Sequence, residues 1–275
     1  MTNIPGGIPA PEDFWRVSCP VVGMIHLLAL PGSPRYERSM DQILDKALEE
    51  AGVLVEEGLD GILVENYGDI PFMGNRVPPE TVAGMAVSVR EVARNHSIPV
   101  GVNVLRNDAE AALAVAVAAG ADFIRVNVHT GTMFTDQGML EGRAASTLRK
   151  RESLGHPVQI LADVMVKHAT PPDGATLEAV AKDTWLRGMA DGLILTGDAT
   201  GQPVCADAIG RLRQVLPDLA RIWVGSGVTS ETAGRLAQVA DGIIVGSALQ
   251  LNGTAGTKVE RSRVRAFMDA LNRSR

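Results

Sequence analysis

Cysteine is scarce: Cys19 and Cys205 are the only two among 275 residues. A pair so far apart makes neither a disulfide framework nor zinc-ligand spacing, and it suits a reducing cytoplasm. Aromatic side chains are also thin, at 4 %. A basic excess is missing: 26 Lys and Arg face 32 Asp and Glu, giving a net charge of −6, which argues against nucleic acid as a partner. The longest small-apolar run, Ala111 to Ala121, is about half a membrane span and is flanked by Asp108, Glu110 and Asp122. No apolar segment precedes the first basic residue, Arg16, so no secretory leader is expected. GxGxxG and GxxxxGK(S/T) do not occur, which argues against a dinucleotide fold or a P-loop. The first apolar run carries no His-x-His, so a zinc-hydrolase pattern is missing. No cofactor is expected. The lesser alternative is a divalent cation such as Mg²⁺ held by Glu65, Asp69 and Asp163.

What is present is a repeat. Residues 1–13 are rich in Pro and Gly and read as a loose arm. The rest, 14–275, reads as one domain. Short runs rich in Val, Ile and Leu recur at VVGMIHLLA, DGILVEN, PVGVNVL, DFIRVNV, VQILADV, DGLILTG, RIWVGSG and DGIIVGS. Each is too short for a helix. Amphipathic segments lie between them, such as MDQILDKALEEAGVLVEEG, with apolar positions three and four apart. Strand–helix alternation calls for a parallel sheet, and eight such units fit a single (β/α)₈ barrel better than a doubly wound sheet.

Side chains alternate across a strand. In the fourth run Ile124, Val126 and Val128 share one side, and Arg125, Asn127 and His129 share the other. The apolar side suits the helices, so the polar side is expected inside. The same parity places His26, Glu65, Asn103 and Asp163 inside, each late in its run. Barrel active sites sit at the C-terminal ends of the strands. Glu65 and Asp163 are the candidate acid–base groups, and Arg125 the candidate for stabilising negative charge. The structural alternative is a satisfied network in which Arg125 neutralises the acids. Burying so many polar groups is costly unless all are paired, which favours a site.

The seventh run ends Gly225-Ser226-Gly227 and the eighth Gly246-Ser247. Barrels often hold phosphate on the loops after these strands, where glycines let backbone N–H groups approach the anion. Gly197, Thr200 and Gly201 after the sixth run form a further candidate nest. Lys167 and His168, following Asp163, are candidates for charge stabilisation, and Lys167 for Schiff-base chemistry if desolvated. The loop Asn66-Tyr67-Gly68-Asp69-Ile70-Pro71-Phe72 reads as a lid or as a loop pinned by its aromatics. Asn66, Asp69, His26, Asn103, Asn127 and His129 complete the expected substrate contacts.

The stretches VVGMIHLLALPGSPRY, ILVENYGDIPF, PVGVNVLRND, FIRVNVHTG, ILADVMVKHATP, LTGDATGQP, WVGSGVT and IIVGSALQ together resemble the BtpA family over Val21 to Met268. The segment LNGTAGTKVERSRV departs from it, lacking an expected NPVD-like stretch. The resemblance implies a barrel of the ribulose-phosphate-binding type. For cyanobacterial members it also implies a role in photosystem I accumulation, with peripheral association at thylakoids. Two functions are therefore carried forward. The first is a cofactor-independent enzyme acting by acid–base chemistry on a small phosphorylated sugar or derivative, as isomerase, lyase or glycosidic cleaver. The second is an assembly factor for membrane protein complexes, without catalysis. The expected setting is a cytoplasmic homo-oligomer.

Overall fold

The computed structural model describes residues 15–197 and 206–273. The expected arm, 1–13, and the candidate phosphate residues Thr200 and Gly201 lie outside them. Eight parallel strands close into a barrel in the order β1-β10-β9-β8-β7-β4-β3-β2. In chain order these are β1 (Val21–His26), β2 (Gly61–Glu65), β3 (Val100–Asn103), β4 (Phe123–Val126), β7 (Gln159–Val164), β8 (Gly192–Leu195), β9 (Ile222–Val224) and β10 (Gly242–Val245). The helices are α1 (Met40–Glu56), α2 (Pro79–Asn95), α3 (Ala109–Ala119), α4 (Ala144–Leu154), α5 (Leu177–Lys182), α6 (Ala206–Val215), α7 (Ser230–Ala237) and α8 (Arg261–Asn272). Pairing of Val21 with Ile243 closes the ring. The fold is a closed (β/α)₈ barrel.

All eight expected strands form. One element was not expected. An antiparallel hairpin, β5 (Thr132–Thr135) and β6 (Gly138–Glu141), is inserted between β4 and α4. It packs Met133 and Leu140 with Val128 and Val166, apart from the main core. Its strands, TMFT and GMLE, lack the Val, Ile and Leu runs that mark the barrel strands.

The strands are held at their lower ends by a recurring device. Asp60, Asp122, Asp191 and Asp241 each precede a strand. Each accepts the N–H of a residue at the start of the neighbouring strand: Val21 at 2.9 Å, Val100 at 2.9 Å, Ile160 at 2.8 Å and Ile222 at 2.6 Å. Those N–H groups sit where the ladder begins and would otherwise lack an acceptor.

The interior alternates large and small. Met24, Leu63, Phe123, Leu161, Ile194, Trp223 and Ile244 fill the middle, and Trp15 packs beneath them. The Trp15 ring lies 5.5 Å from Phe123 and 5.2 Å from Trp223. Glycine supplies the matching space: a Cβ on Gly101 would lie 2.1 Å from the Phe123 ring, and one on Gly242 would lie 2.4 Å from Trp223. Gly101→Val is expected to cost about 1–3 kcal/mol through overpacking, measured as a lowered urea midpoint. An unchanged midpoint would show that Phe123 can move aside.

Outside the barrel wall, Ile25, Ile62, Val102, Ile124 and Ile160 belong to the large strand–helix core. Among the described residues, no helix is long and apolar enough to cross a membrane.

Candidate functional site

On the inner parity His26, Glu65, Asn103, Arg125, Asn127 and Asp163 lie above the apolar plug, while Gln159 lies at the lower end of β7. The last residues of β1, β2 and β3 are cross-strand neighbours, His26 beside Glu65 and Glu65 beside Asn103. Asn103 donates from Nδ2 to Glu65 Oε2 at 2.6 Å. The other oxygen, Oε1, faces His26 Nε2 at 3.6 Å. Glu65 therefore has one oxygen anchored by Asn103 and one beside His26, and it lines the pocket at the barrel top.

Across the ring, Arg125 grips Asp163 in a bidentate pair, Nε to Oδ1 and Nη2 to Oδ2, both at 3.0 Å. Asn127 donates from Nδ2 to Asp163 Oδ2 at 2.8 Å. The Asp163 side chain has no solvent exposure. Sequence parity places Asp163 with Glu65 as a second acid–base group. The structure instead has both its oxygens occupied, so it works as the counter-ion that holds Arg125. Burial opposes the Arg125 charge, but the Asp163 carboxylate and its hydrogen bonds outweigh that and hold its pKa above the ordinary value.

Lys167 lines the pocket wall with Arg106 and His168. Burial, reinforced by the Arg125 charge, lowers the Lys167 pKa. Arg106 donates to the Lys167 carbonyl at 2.8 Å and fixes the course of that loop. The same pocket is also lined by Gly225, Ser226, Gly227, Gly246 and Ser247. Gly227 has φ +68°, which only glycine adopts readily. Ser247 begins a short 3₁₀ turn, Ser247–Leu249, whose first N–H groups have no acceptor within the turn.

Other expected residues are placed elsewhere. Asn66 donates to Asp69 at 2.9 Å and accepts from Leu105 N, while Asp69 accepts from Leu30 N. This pair stitches the loops after β1, β2 and β3 together and lies outside the pocket. His129 follows β4, beyond the strand's end, and its Nε2 lies 2.8 Å from the Gly188 carbonyl oxygen, behind the hairpin. Gly197 does not line the pocket either. Glu65, Asp69 and Asp163 do not converge, and the described residues hold no cluster of three or more metal-ligating acids, histidines or cysteines.

Arg106, Tyr67 and Gln250 are pocket or supporting residues outside the expected set. Tyr67 stacks on His26, with ring centroids 4.4 Å apart. Arg106 follows β3 by three positions, past the reach of strand parity.

Burial lowers the pKa of both His26 and His129. A histidine that stays neutral when folded protonates first in the unfolded chain. Stability is then lost as pH falls below about 6.5, by up to about 1.4 kcal/mol per pH unit for each such group. Glu50 and Asp69, raised by burial, act in the opposite sense. Urea midpoints at pH 7.5 and 5.5 are expected to fall on acidification. A midpoint that rises would contradict the neutral assignment.

Three likenesses bear on this arrangement. The photosystem I biogenesis protein BtpA of Synechocystis is 44 % identical over 255 residues, covering 92 % of this chain and 88 % of that protein. An uncharacterized protein of Pyrococcus abyssi is 42 % identical over 246 residues, covering 90 % and 93 %. Among solved structures, KGPDC from Streptococcus mutans in complex with D-R5P superposes with a TM-score of 0.60 at 12 % identity, covering 94 % of this chain and 99 % of that one. At that identity the likeness concerns the fold alone. The sequence model of the BtpA family matches residues 17–273, and the chain belongs to that family.

Proposed function

We propose that the barrel top is the active site of an enzyme acting by acid–base chemistry on a small phosphorylated sugar or sugar derivative. The observation that carries this reading is Glu65. One oxygen is fixed by Asn103 and the other lies beside a buried neutral histidine that lines the same pocket. A positioned carboxylate of that kind is a general base. Arg125, Arg106 and Lys167 line the same pocket and stabilise developing negative charge. Asp163 is a positioning residue in this account. The glycine rim of Gly225, Gly227 and Gly246, with Ser226 and Ser247, takes the phosphate.

Asn127 supports the presence of a hydroxylated ligand. Its Nδ2 meets a carboxylate, which can only accept, so its amide orientation is settled. Its Oδ1 is buried without a protein partner and suits a sugar hydroxyl. A thermal-shift screen of sugar phosphates against their unphosphorylated counterparts tests the reading. A ligand at a hundredfold its Kd stabilises by about 2.7 kcal/mol, or about 5–10 °C for a chain of this size. Equal shifts with and without the phosphate would remove the phosphate from the account.

A second reading, an assembly factor for membrane protein complexes, rests on the name of the Synechocystis relative and on exposed Met73, Phe134 and Met139. Under it, Phe134→Ser would impair complex accumulation and Glu65→Gln would not. The acid–base reading predicts the reverse.

A further inference from the structure

The hydrogen bonds around His26 determine where its proton sits. The main-chain N–H of Gly256 points at His26 Nδ1 from 3.0 Å. A backbone N–H only donates, so Nδ1 must be the acceptor. The same Gly256 N–H orients the Gln250 amide, whose Oε1 accepts from it at 3.1 Å. Its Nε2 is then the group 2.9 Å from His26 Nδ1, a second donor on the same nitrogen. The single proton of the neutral ring therefore belongs on Nε2. That atom lies 3.6 Å from Glu65 Oε1, and both residues line the pocket.

Protonating Nδ1 would set a third hydrogen against two donors. The charged groups around the ring divide. Burial disfavours the imidazolium most, Lys46 and Lys167 act with it, and together they outweigh Glu65 and the Gln250 contact, which favour it. Lys46 reaches the His26 carbonyl at 3.0 Å, and Tyr67 covers one ring face.

We propose that His26 is a permanently neutral hydrogen-bond donor that presents Nε2–H to the carbonyl oxygen of an α-hydroxy aldehyde or ketone phosphate. The inference rests on the phosphorylated-sugar reading above and narrows it to enolisation. Glu65 Oε1 takes the proton from the carbon next to the carbonyl. The C–H electron pair becomes the new C=C bond, and the carbonyl π pair moves onto oxygen. The resulting enediolate oxygen is held by Nε2–H, and the proton remains on Glu65. Neutrality suits this role, because a donor that keeps its proton stabilises the oxyanion without competing with Glu65 for the substrate's proton.

Two measurements on the full chain test the proposal. The first is ¹⁵N NMR of labelled histidine, with His26 identified among the five histidines by its loss in His26→Gln. The expected signals are an unprotonated Nδ1 and a protonated Nε2, unchanged between pH 8 and 5. A proton on Nδ1, or titration near the ordinary histidine value, overturns the proposal. Gln250→Glu replaces the donor on Nδ1 by an acceptor, so His26 is expected to gain a proton there.

The second measurement compares inorganic phosphate with 2-phosphoglycolate, whose carboxylate mimics the enediolate. The expected result is binding of 2-phosphoglycolate at least about tenfold tighter than phosphate, with uptake of a proton by Glu65. His26→Phe should erase that advantage and leave phosphate affinity unchanged, while His26→Gln, which still carries a donor, should keep part of it. Equal affinities for the two anions would overturn the enolisation inference alone. Failure of both to bind would overturn the phosphate reading and the inference with it.

Discussion

Asp163→Asn is expected to destabilise the chain by about 3–5 kcal/mol, lowering the melting temperature by about 10 °C. The substitution is small in volume but removes the charge opposite Arg125, which is 6 % exposed and makes a bidentate pair with the carboxylate. A guanidinium left alone at that depth loses its Coulombic compensation and two charge-assisted hydrogen bonds. The companion variant Arg125→Met, Asp163→Leu removes both charges and is expected to recover much of the loss, because the pair's own desolvation cost disappears with it. Chemical denaturation of the three proteins reads this directly. If Asp163→Asn unfolds at the wild-type midpoint, the pair is wetter than its geometry indicates, and Asp163 returns to consideration as an acid–base group.

Glu65→Gln is expected to do the opposite. It should lower turnover by about 10²–10⁴ and change stability by about 1 kcal/mol or less. The Gln oxygen can still accept from Asn103, and no arginine is left unpaired by the change, because Arg125 is satisfied by Asp163. Ligand binding should survive, since Glu65 is not one of the rim residues that hold the phosphate in this account. Turnover on the substrate that the screen identifies, measured beside thermal stability, decides the point. Full activity in Glu65→Gln would remove this carboxylate from the chemistry and shift the base role to Lys167. The two acids thus differ in function because of their neighbours, and the contrast between the two variants exposes that difference.

The barrel was legible because its strands are buried on both faces and read as short apolar runs, and because Arg125 and Asn127 break that pattern on one parity alone. The same parity brought His26, Glu65, Asn103 and Asp163 to the inner top. It failed where the strand stopped. β4 ends at Val126, so the chain has turned by His129. Which carboxylate Arg125 chooses was beyond the sequence, because both acids lie on the correct parity and only the register around the ring decides. Gln250 and Gly256 hold His26 from more than 220 positions away, a contact that no local pattern contains. The segment LNGTAGTKVERSRV includes Gly256, whose N–H closes on His26 Nδ1. The aspartates before β2, β4, β8 and β10 were visible as a repeat, but their role became evident only once each was seen to accept from the strand next door.

The central claim is that the barrel top binds a sugar through its phosphate at the glycine rim. Calorimetric titration of the most stabilising sugar phosphate, and of the same sugar without phosphate, into the wild type and Ser247→Asp is the most direct measurement. Ser247 is partly exposed at the start of its turn, so an added carboxylate is tolerated by the fold but repels a phosphate. The account predicts measurable binding of the phosphorylated sugar to the wild type, at least about tenfold weaker binding to Ser247→Asp, and no comparable binding of the free sugar. Equal affinity of wild type and Ser247→Asp for the phosphorylated sugar, or equal affinity for the sugar with and without its phosphate, would contradict it.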